Sequence, residues 1–229
     1  MRAPFSALAR DLLAFTLPQR CPGCGDPADP ARLLCEACLA RIPRLDTALC
    51  VRCLAAEREG AGCLVHAGFA ARAAWIYDER AALVVHALKY GERPGLAEAL
   101  GGVMAGALAP GYRPDLVVDV PLHRTRRRER GYNQAAALAD ALAKTIAAPR
   151  LAGALTRTRS TRAQARLGPA ERRRNISGAF RVEHPAAFKG RSVLLVDDVL
   201  TTGATLESAL AALAATGAVA TAVTLAWAA

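Results

Sequence analysis

This 229-residue sequence has no cysteine beyond position 63, few aromatic residues and no long apolar run. Aromatic residues make up 5% of the chain, which argues against a surface that holds single-stranded nucleic acid by base stacking. No apolar run reaches the ~18–20 residues that a bilayer-spanning helix needs. Arg10 and Asp11 interrupt the apolar pattern near the start, so we interpret this segment as an amphipathic helix of the mature protein and not as a signal peptide. We therefore expect a cytoplasmic protein with no membrane span.

Acidic residues are scarce in one stretch of the chain. The net charge is +10, and residues 123–174 contain fourteen Lys and Arg against three Asp and Glu. A local excess of this size indicates an anionic partner, either phosphorylated small molecules or nucleic acid. The alternative is a solvated basic surface without a specific partner.

The seven cysteines form two sets, and the first has the spacing of a zinc ribbon. Two Cys-x-x-Cys turns, separated by ten residues, supply Cys21, Cys24, Cys35 and Cys38. Each turn brings two thiolates within reach of one tetrahedral Zn²⁺, and Pro22 and Gly23 suit a tight turn. A disulfide framework is the alternative, but the expected cytoplasmic setting argues against it.

The second set replaces the eighth cysteine with a histidine. Its candidate ligands are Cys50, Cys53, Cys63 and His66. This spacing predicts a second zinc site, although a degenerate ribbon with His66 at the surface, or pairing across the two sets, also fits the pattern. Neither set leaves an open coordination position, so we expect any zinc to be structural.

The remainder of the chain has the pattern of an α/β domain. Candidate strands alternate with candidate helices from Phe69 onward, which predicts a parallel sheet with helices on both faces. We place the boundary between a cysteine-rich module, residues 1–67, and an α/β domain, residues 68–229.

Two adjacent carboxylates, Asp197 and Asp198, follow four apolar residues and precede the turn "TTGAT". In open α/β sheets, ligands bind beyond the carboxyl ends of the strands. The backbone N–H groups of a turn that starts a helix attract anions, and Gly203 permits close approach. Acids beside such a turn suit a ribose 5-phosphate group. A phospho-acceptor receiver domain is a poor alternative because only 31 residues follow Asp198, and a generic strand-to-helix connection does not explain the acids.

The segment "VLLVDDVLTTGAT", residues 193–205, resembles the phosphoribosyl pyrophosphate (PRPP) signature of type I phosphoribosyltransferases. The resemblance implies that Asp197 and Asp198 contact the ribose hydroxyls, as the catalytic acid pair. It implies that the turn holds the 5-phosphate through five residues, Thr201, Thr202, Gly203, Ala204 and Thr205.

Further segments resemble one branch, the ComF family of competence-associated proteins. They are "HALKYGER" (86–93), "DVPLHRTRRRERGYNQA" (119–135) and "TRTRSTRAQARLGPAERRRNISGAF" (156–180). The resemblance implies a type I phosphoribosyltransferase fold, with a parallel sheet flanked by helices, joined to a small N-terminal double zinc ribbon. It also implies Mg²⁺ arriving with PRPP.

Two basic segments supply further candidate PRPP contacts. Leu122 and His123 lie where a pyrophosphate loop is expected, and Arg127 follows as a candidate phosphate ligand. Thr161 and Gln164 match the ComF pattern in a stretch that resembles the flexible loop closing over PRPP. The alternatives are solvated charges at a helix entry and an exposed basic loop.

Two function classes remain open at this point. The first is a phosphoribosyltransferase that acts on PRPP and an unidentified acceptor, linked through its family to DNA uptake and other competence proteins. The second is a non-catalytic protein that keeps the PRPP fold and binds single-stranded DNA.

Overall fold

The structure is a computed structural model that describes residues 19–28, 33–56, 63, 65–90, 93, 95–158, 176 and 178–228. Its main feature is a five-stranded sheet in the order β1-β2-β7-β6-β3. The strands are β1 (Ala48–Cys50), β2 (Ala70–Ile76), β3 (Leu116–Asp119), β6 (Ser192–Leu200) and β7 (Val219–Trp227). All neighbours pair in parallel except β1, which runs antiparallel to β2. A separate antiparallel hairpin joins β4 (Leu155–Arg157) to β5 (Phe180–Val182).

Helices cover both faces of this sheet, as the alternating pattern predicts. The helices are α1 (Glu36–Arg41), α2 (Glu79–Tyr90), α3 (Leu96–Ala105), α4 (Arg124–Arg130), α5 (Gln134–Thr145) and α6 (Ala204–Ala214), with a short 3-10 helix at Pro185–Phe188. Asp78 caps the start of α2, where its Oδ1 accepts the Ala81 N–H at 2.8 Å, and aspartate is among the residues preferred at this position of a helix.

The core has two halves, one on each face of the sheet. On one face, α2, α3 and α5 bury side chains such as Leu88, Leu100 and Leu142 against Val196 of β6. On the other face, α6 and the β4–β5 hairpin pack against Leu195. Neighbouring residues of β6 thus pack into opposite halves of the core, because successive side chains of a strand point to opposite faces of the sheet. This explains why the strand is apolar without interruption before Asp197.

The cysteine-rich module is attached to the same sheet. Its strand β1 pairs with β2 through Ala48–Arg72, Leu49–Ala71 and Cys50–Ala70. Hydrogen-bonded backbone therefore connects the two predicted domains, and the boundary at residues 67 and 68 stays a prediction.

Across the described part of the chain, every helix is too short or too polar to cross a bilayer. The amphipathic helix predicted near the N-terminus lies outside the described residues.

Candidate functional site: a strand end with an acid pair, flanked by two metal-ligand sets

The first four cysteines converge as a metal-binding set. Their ligand atoms all lie within 4.8 Å of one another, and the sulfurs of Cys24 and Cys35 are 3.7 Å apart. Two sulfurs bound at 2.3 Å to one tetrahedral zinc are separated by about 3.8 Å, whereas a disulfide requires about 2.05 Å. The predicted set is therefore confirmed as a group of thiols, and its donors fit a structural zinc.

The second set also converges, with His66 as its fourth member. The Nδ1 atom of His66 lies 3.6 Å from the sulfurs of both Cys50 and Cys63, and Cys53 lies 3.8 Å from Cys63. Each set closes on itself, so the structure rules out pairing across the sets. A hydrogen bond from the Val65 N–H, with His66 contributing, lowers the pKa of Cys63 to about 6. This favours the thiolate that zinc requires, and the four donors fit a second structural zinc.

The two metal-ligand sets lie against opposite halves of the core. Cys21 and Cys38 are buried with Leu88 and Leu100, in the half formed by α2, α3 and α5. Val51, between the second set's Cys50 and Cys53, is fully buried in the other half, with Leu206 of α6. The second set therefore lies on the same face of the sheet as α6, the helix that follows the "TTGAT" turn.

The acid pair lies where one neighbouring strand has ended. The last pair between β3 and β6 is Asp119 with Val196, and Pro121 has no N–H with which to continue the ladder. On the other side, β7 continues alongside β6 as far as the pair of Leu200 with Trp227. Asp197 and Asp198 therefore lie at the carboxyl end of the sheet, beyond the last residue pair of β3, which is where α/β proteins bind ligands.

Asp198 is held by a lysine and a glutamine from two helices. Its side chain accepts a hydrogen bond from Gln134 Nε2 at 2.8 Å and pairs with Lys89 Nζ at 3.2 Å. Asp198 is 6% exposed and Gln134 is 4% exposed. The Oε1 atom of Gln134 is buried and has no hydrogen-bond partner within the described residues, which leaves an acceptor that a ligand hydroxyl group would satisfy.

Asp197 lies in a less favourable environment for charge. Burial, followed by repulsion from Asp198, raises the pKa of Asp197 to about 7. The Asp198 N–H donates to its Oδ1 at 2.8 Å, and the positive charges of Lys89 and Arg157 oppose the rise in pKa. A carboxyl group whose pKa is raised in this way, at the carboxyl end of a sheet, is typical of a functional site.

Arg157 brings positive charge to the Asp197 side of the strand. Burial lowers the pKa of Arg157, Asp197 raises it, and Arg126 of α4 lowers it again. Arg157 also lies over the ring of Phe180 at 5.6 Å. Arg157 and Lys89 are therefore the cations whose charge acts on Asp197, and Arg126 acts on Arg157.

The "TTGAT" turn forms the start of α6, as the sequence predicts. Thr201 and Thr202 lie in the bend, Gly203 is the N-cap with φ of 76°, and Ala204 and Thr205 begin the helix. Gly203 has no side chain with which to cap the first turn, whose N–H groups have no intrahelical acceptors. These N–H groups and the helix dipole suit an anion.

The predicted pyrophosphate-loop residues lie between β3 and a short helix. Leu122 and His123 are partly buried, and His123 is the N-cap of α4, where its Nδ1 accepts the Thr125 N–H at 3.3 Å. Arg127 lies on this helix with an exposed side chain. This helix is consistent with the alternative interpretation, in which its arginines are solvated charges at the entry of a helix. Phosphate binding by Arg127 stays a prediction.

A network of polar side chains joins the two ends of the segment that connects β3 to α5. Asn133 donates to Asp119 Oδ2 at 2.7 Å and to the Val120 carbonyl at 3.1 Å, and its own Oδ1 accepts the Ala135 N–H at 3.2 Å. Arg150 pairs with Asp119 at 2.5 Å. Asn133 therefore joins the start of α5 to the end of β3.

Several of these residues are not site predictions from the sequence. Asn133 caps the start of α5, and Gln134 is buried against Asp198. Lys89, in the last turn of α2, pairs with Asp198. No sequence signal indicates Arg157, because its position depends on a hairpin whose strands are over twenty residues apart. Thr161 and Gln164 lie outside the described residues.

Comparisons with known proteins agree with this geometry. The family profile "Phosphoribosyl transferase domain" matches residues 129–228, and "Double zinc ribbon domain" matches residues 12–64. The chain is 32% identical over 192 residues to "DNA utilization protein YhgH" of Escherichia coli O157:H7, covering 81% of this chain and 74% of that protein. It is 31% identical over 192 residues to the protein of that name in Salmonella typhi. It is 39% identical over 95 residues to "Competence protein F" of Haemophilus influenzae, covering 41% of this chain and 42% of that protein.

A double zinc ribbon, a phosphoribosyltransferase domain and these relatives together place the chain in the ComF family.

Proposed function

We propose that this protein binds PRPP at the carboxyl end of β6 and transfers its phosphoribosyl group to an acceptor. The observation that carries the proposal is the position of the acid pair, beyond the last pair of β3 and directly before the glycine-capped start of α6. The acids suit the ribose hydroxyls, and the start of the helix suits the 5-phosphate.

The charges around the acids support a ligand that carries both hydroxyl and phosphate groups. Lys89 neutralises Asp198, and the charge of Arg157 acts on Asp197. The Oε1 atom of Gln134, which has no partner among the described residues, offers one more acceptor next to Asp198. A ribose diol donates hydrogen bonds to such acceptors, and arginine binds phosphate oxygens through its planar fork.

The reaction breaks the bond between C1 of the ribose and the pyrophosphate, and C1 forms a new bond to the acceptor. Positive charge develops on the sugar ring and negative charge on the leaving pyrophosphate. In this scheme the acids orient the ribose, the start of α6 anchors its 5-phosphate, and Leu122, His123 and Arg127 face the pyrophosphate. Catalysis then consists mainly of positioning and charge stabilisation.

Magnesium would arrive with PRPP, neutralising the pyrophosphate. The carboxylate oxygens of Asp197 and Asp198 are donors of the kind that Mg²⁺ prefers, and Mg²⁺ is commonly held by one or two carboxylates plus substrate phosphates. The predicted flexible-loop residues Thr161 and Gln164 would close over the bound PRPP and exclude water.

Calorimetry tests the binding half of this proposal. PRPP with Mg²⁺ should bind the wild-type protein, and the double variant Asp197→Asn, Asp198→Asn should lose that binding. Asp115→Asn is the matched control, since Asp115 lies at the opposite end of β6, where it accepts the Ser192 N–H. Unchanged affinity in the double variant would show that PRPP does not use this site.

A pyrophosphate-release screen tests the catalytic half and identifies the acceptor. Nucleobases, amines and single-stranded DNA are supplied in turn with PRPP and Mg²⁺. One class of acceptor should cause the release of pyrophosphate, and Asp197→Asn should abolish that release. PRPP binding without release for every acceptor would favour a non-catalytic protein.

Single-stranded DNA binding is the second candidate function. Helix α4 carries five arginines within seven residues, and four of them, at 124, 126, 127 and 128, are exposed. Two relatives carry names that refer to DNA utilization and one a name that refers to competence, so we connect this basic helix with the handling of incoming DNA, alongside other competence proteins. We expect this work to take place in the cytoplasm, where cysteines stay reduced.

The salt dependence of binding tests the DNA function. Each phosphate contact on a single strand contributes about −0.7 to the slope of log affinity against log salt. Arg127→Gln with Arg128→Gln should therefore reduce the magnitude of the slope by about 1.4, whereas Arg41→Gln, on α1, should not change it. An unchanged slope would remove α4 from the DNA-binding surface.

A further inference from the structure

The second metal-ligand set is in direct contact with the candidate phosphate turn. A Cβ built on Gly203 would lie 1.8 Å from the Val51 carbonyl oxygen and 2.8 Å from its carbonyl carbon. Real Cβ atoms do not approach backbone this closely, so the glycine is required by contact as well as by its φ of 76°. Val51 lies between two ligands of the second set, Cys50 and Cys53.

A second contact joins the same two elements one turn further along α6. Arg52 Nε donates to Glu207 Oε1 at 2.8 Å, and Glu207 lies in the first turn of α6. Glu207 also donates its N–H to the Gly203 carbonyl at 2.8 Å. The ion pair therefore joins the metal-ligand segment to the turn that begins the helix.

The segment that makes these contacts is itself held in place. The Val51 N–H donates to the Phe69 carbonyl at 2.9 Å, and the Arg52 guanidinium lies 3.7 Å over the Phe69 ring. Cys50 belongs to β1 and pairs with Ala70. Backbone hydrogen bonds from the Leu54 N–H to the Cys50 carbonyl at 2.7 Å and from the Cys50 N–H to the Ala55 carbonyl at 3.0 Å close the turn itself. A metal at Cys50, Cys53, Cys63 and His66 would also tie this turn to the segment at 63–66, which supplies the other two ligands.

We infer that Val51 and Arg52 are positioning residues for the phosphate turn, and that metal at the second set maintains their position. This inference rests on the proposed PRPP site. Metal bound at the second set should raise the affinity for PRPP, and PRPP should raise the affinity for that metal by the same factor, because coupling between the two binding free energies is reciprocal. We expect the tighter metal binding to be observed as slower loss of the metal to a chelator. The first set packs against the other half of the core and should lack this coupling.

The first experiment requires no PRPP. Full-length protein is loaded with Co²⁺, whose absorption differs between a four-thiolate site and a site with three thiolates and an imidazole, and a chelator is added. Gly203→Ala should speed metal loss from the second set at least five-fold relative to the first. The control is Gly111→Ala, because Gly111 also has a φ of 76° but has nothing within 4 Å of its Cβ position. Equal rates in both variants would overturn the inference.

The second experiment measures PRPP affinity in variants of the ion pair. Arg52→Met should weaken PRPP binding about five-fold or more, and Arg52→Lys should restore part of it because the charge remains. In wild-type protein, PRPP should slow cobalt loss from the second set and leave the first set unchanged. Unaltered affinity in Arg52→Met, with cobalt loss insensitive to PRPP, would overturn the inference. If the wild type binds no PRPP, the proposed function fails, and the Gly203→Ala result still decides the contact with the metal set.

Discussion

Replacing Asp197 with asparagine should make the protein more stable and, at the same time, unable to hold PRPP. Asparagine has nearly the same shape as aspartate and keeps an oxygen that accepts the Asp198 N–H, which in the wild type donates at 2.8 Å. The substitution therefore removes the charge and little else. Residues of a binding site often lower the stability of the free protein, so that replacing them raises stability and abolishes binding.

The pKa of Asp197 sets the size of the effect. Burial and the neighbouring Asp198 raise it from 3.8 to about 7, and each unit corresponds to about 1.36 kcal/mol. The full rise in pKa therefore corresponds to at most about 4 kcal/mol of stability lost when Asp197 is ionised. The amide remains polar in a partly buried place, so we expect a net gain of about 2 kcal/mol. For a protein of this size, that gain raises the Tm by about 4–8 °C.

The pH dependence follows from the direction of the shift. The pKa of Asp197 is higher in the folded state than in the unfolded state. Asp197 therefore does not reduce the free energy of unfolding below about pH 3.8. As the pH rises from there through about 7, ionising the buried carboxyl group lowers the free energy of unfolding progressively. Asparagine does not titrate, so the advantage of the variant should be full at pH 8. It should nearly vanish at pH 5.5, because only about half of the charge penalty has accumulated there, whereas the cost of burying the amide does not change with pH.

Thermal unfolding of both proteins in zinc-saturated buffer at pH 5.5 and 8 measures this advantage, and calorimetry with PRPP and Mg²⁺ measures binding. Asp198→Asn provides the contrast, because it leaves Lys89 without its partner at 3.2 Å and should lose about 1–3 kcal/mol. The prediction is wrong if the Asp197→Asn protein is no more stable than the wild type at pH 8, or if its gain in stability is the same at pH 5.5 and pH 8.

Three further predictions concern the metals and the packing. Metal analysis should give two zinc ions per chain, one for each ligand set, and Cys53→Ser should leave one; two in that variant would exclude Cys53 as a ligand. Asn133→Ala should destabilise by about 2 kcal/mol, since it removes a helix cap and a bond to Asp119, while Asn133→Ser should recover about 1 kcal/mol in urea unfolding. Gly101→Ala should destabilise by about 1–3 kcal/mol because its Cβ would lie 2.8 Å from the Ala141 carbonyl carbon. Gly102→Ala, on the same helix and with open space at its Cβ position, should stabilise by about 0.5–1 kcal/mol. If both variants changed the free energy of unfolding in the same direction, the close contact of Gly101 with Ala141 would be contradicted.

Much of the fold and part of the candidate site could be predicted from the sequence because the signals are local. The Cys-x-x-Cys spacing predicts both ligand sets, since two ligands three residues apart already share a metal. The apolar run before Asp197 predicts a buried strand, and "TTGAT" predicts the start of a helix that suits an anion. The alternation of strands and helices predicts a mostly parallel sheet, which the structure confirms.

The contacts between distant parts of the chain could not be predicted in this way. Lys89 and Gln134 meet Asp198 because α2 and α5 cover the same face of the sheet, and no local pattern encodes which helices share a face. The structure likewise decides that the antiparallel edge strand comes from the cysteine-rich module.

Residue spacing predicts the donor chemistry of this protein: two four-ligand metal sets, an acid pair at a strand end and a glycine-containing turn. The contact of the Val51 carbonyl with Gly203 is seen only in the folded chain. Spacing specifies ligands within one turn of chain, whereas the approach of two turns 152 residues apart depends on how the whole sheet packs.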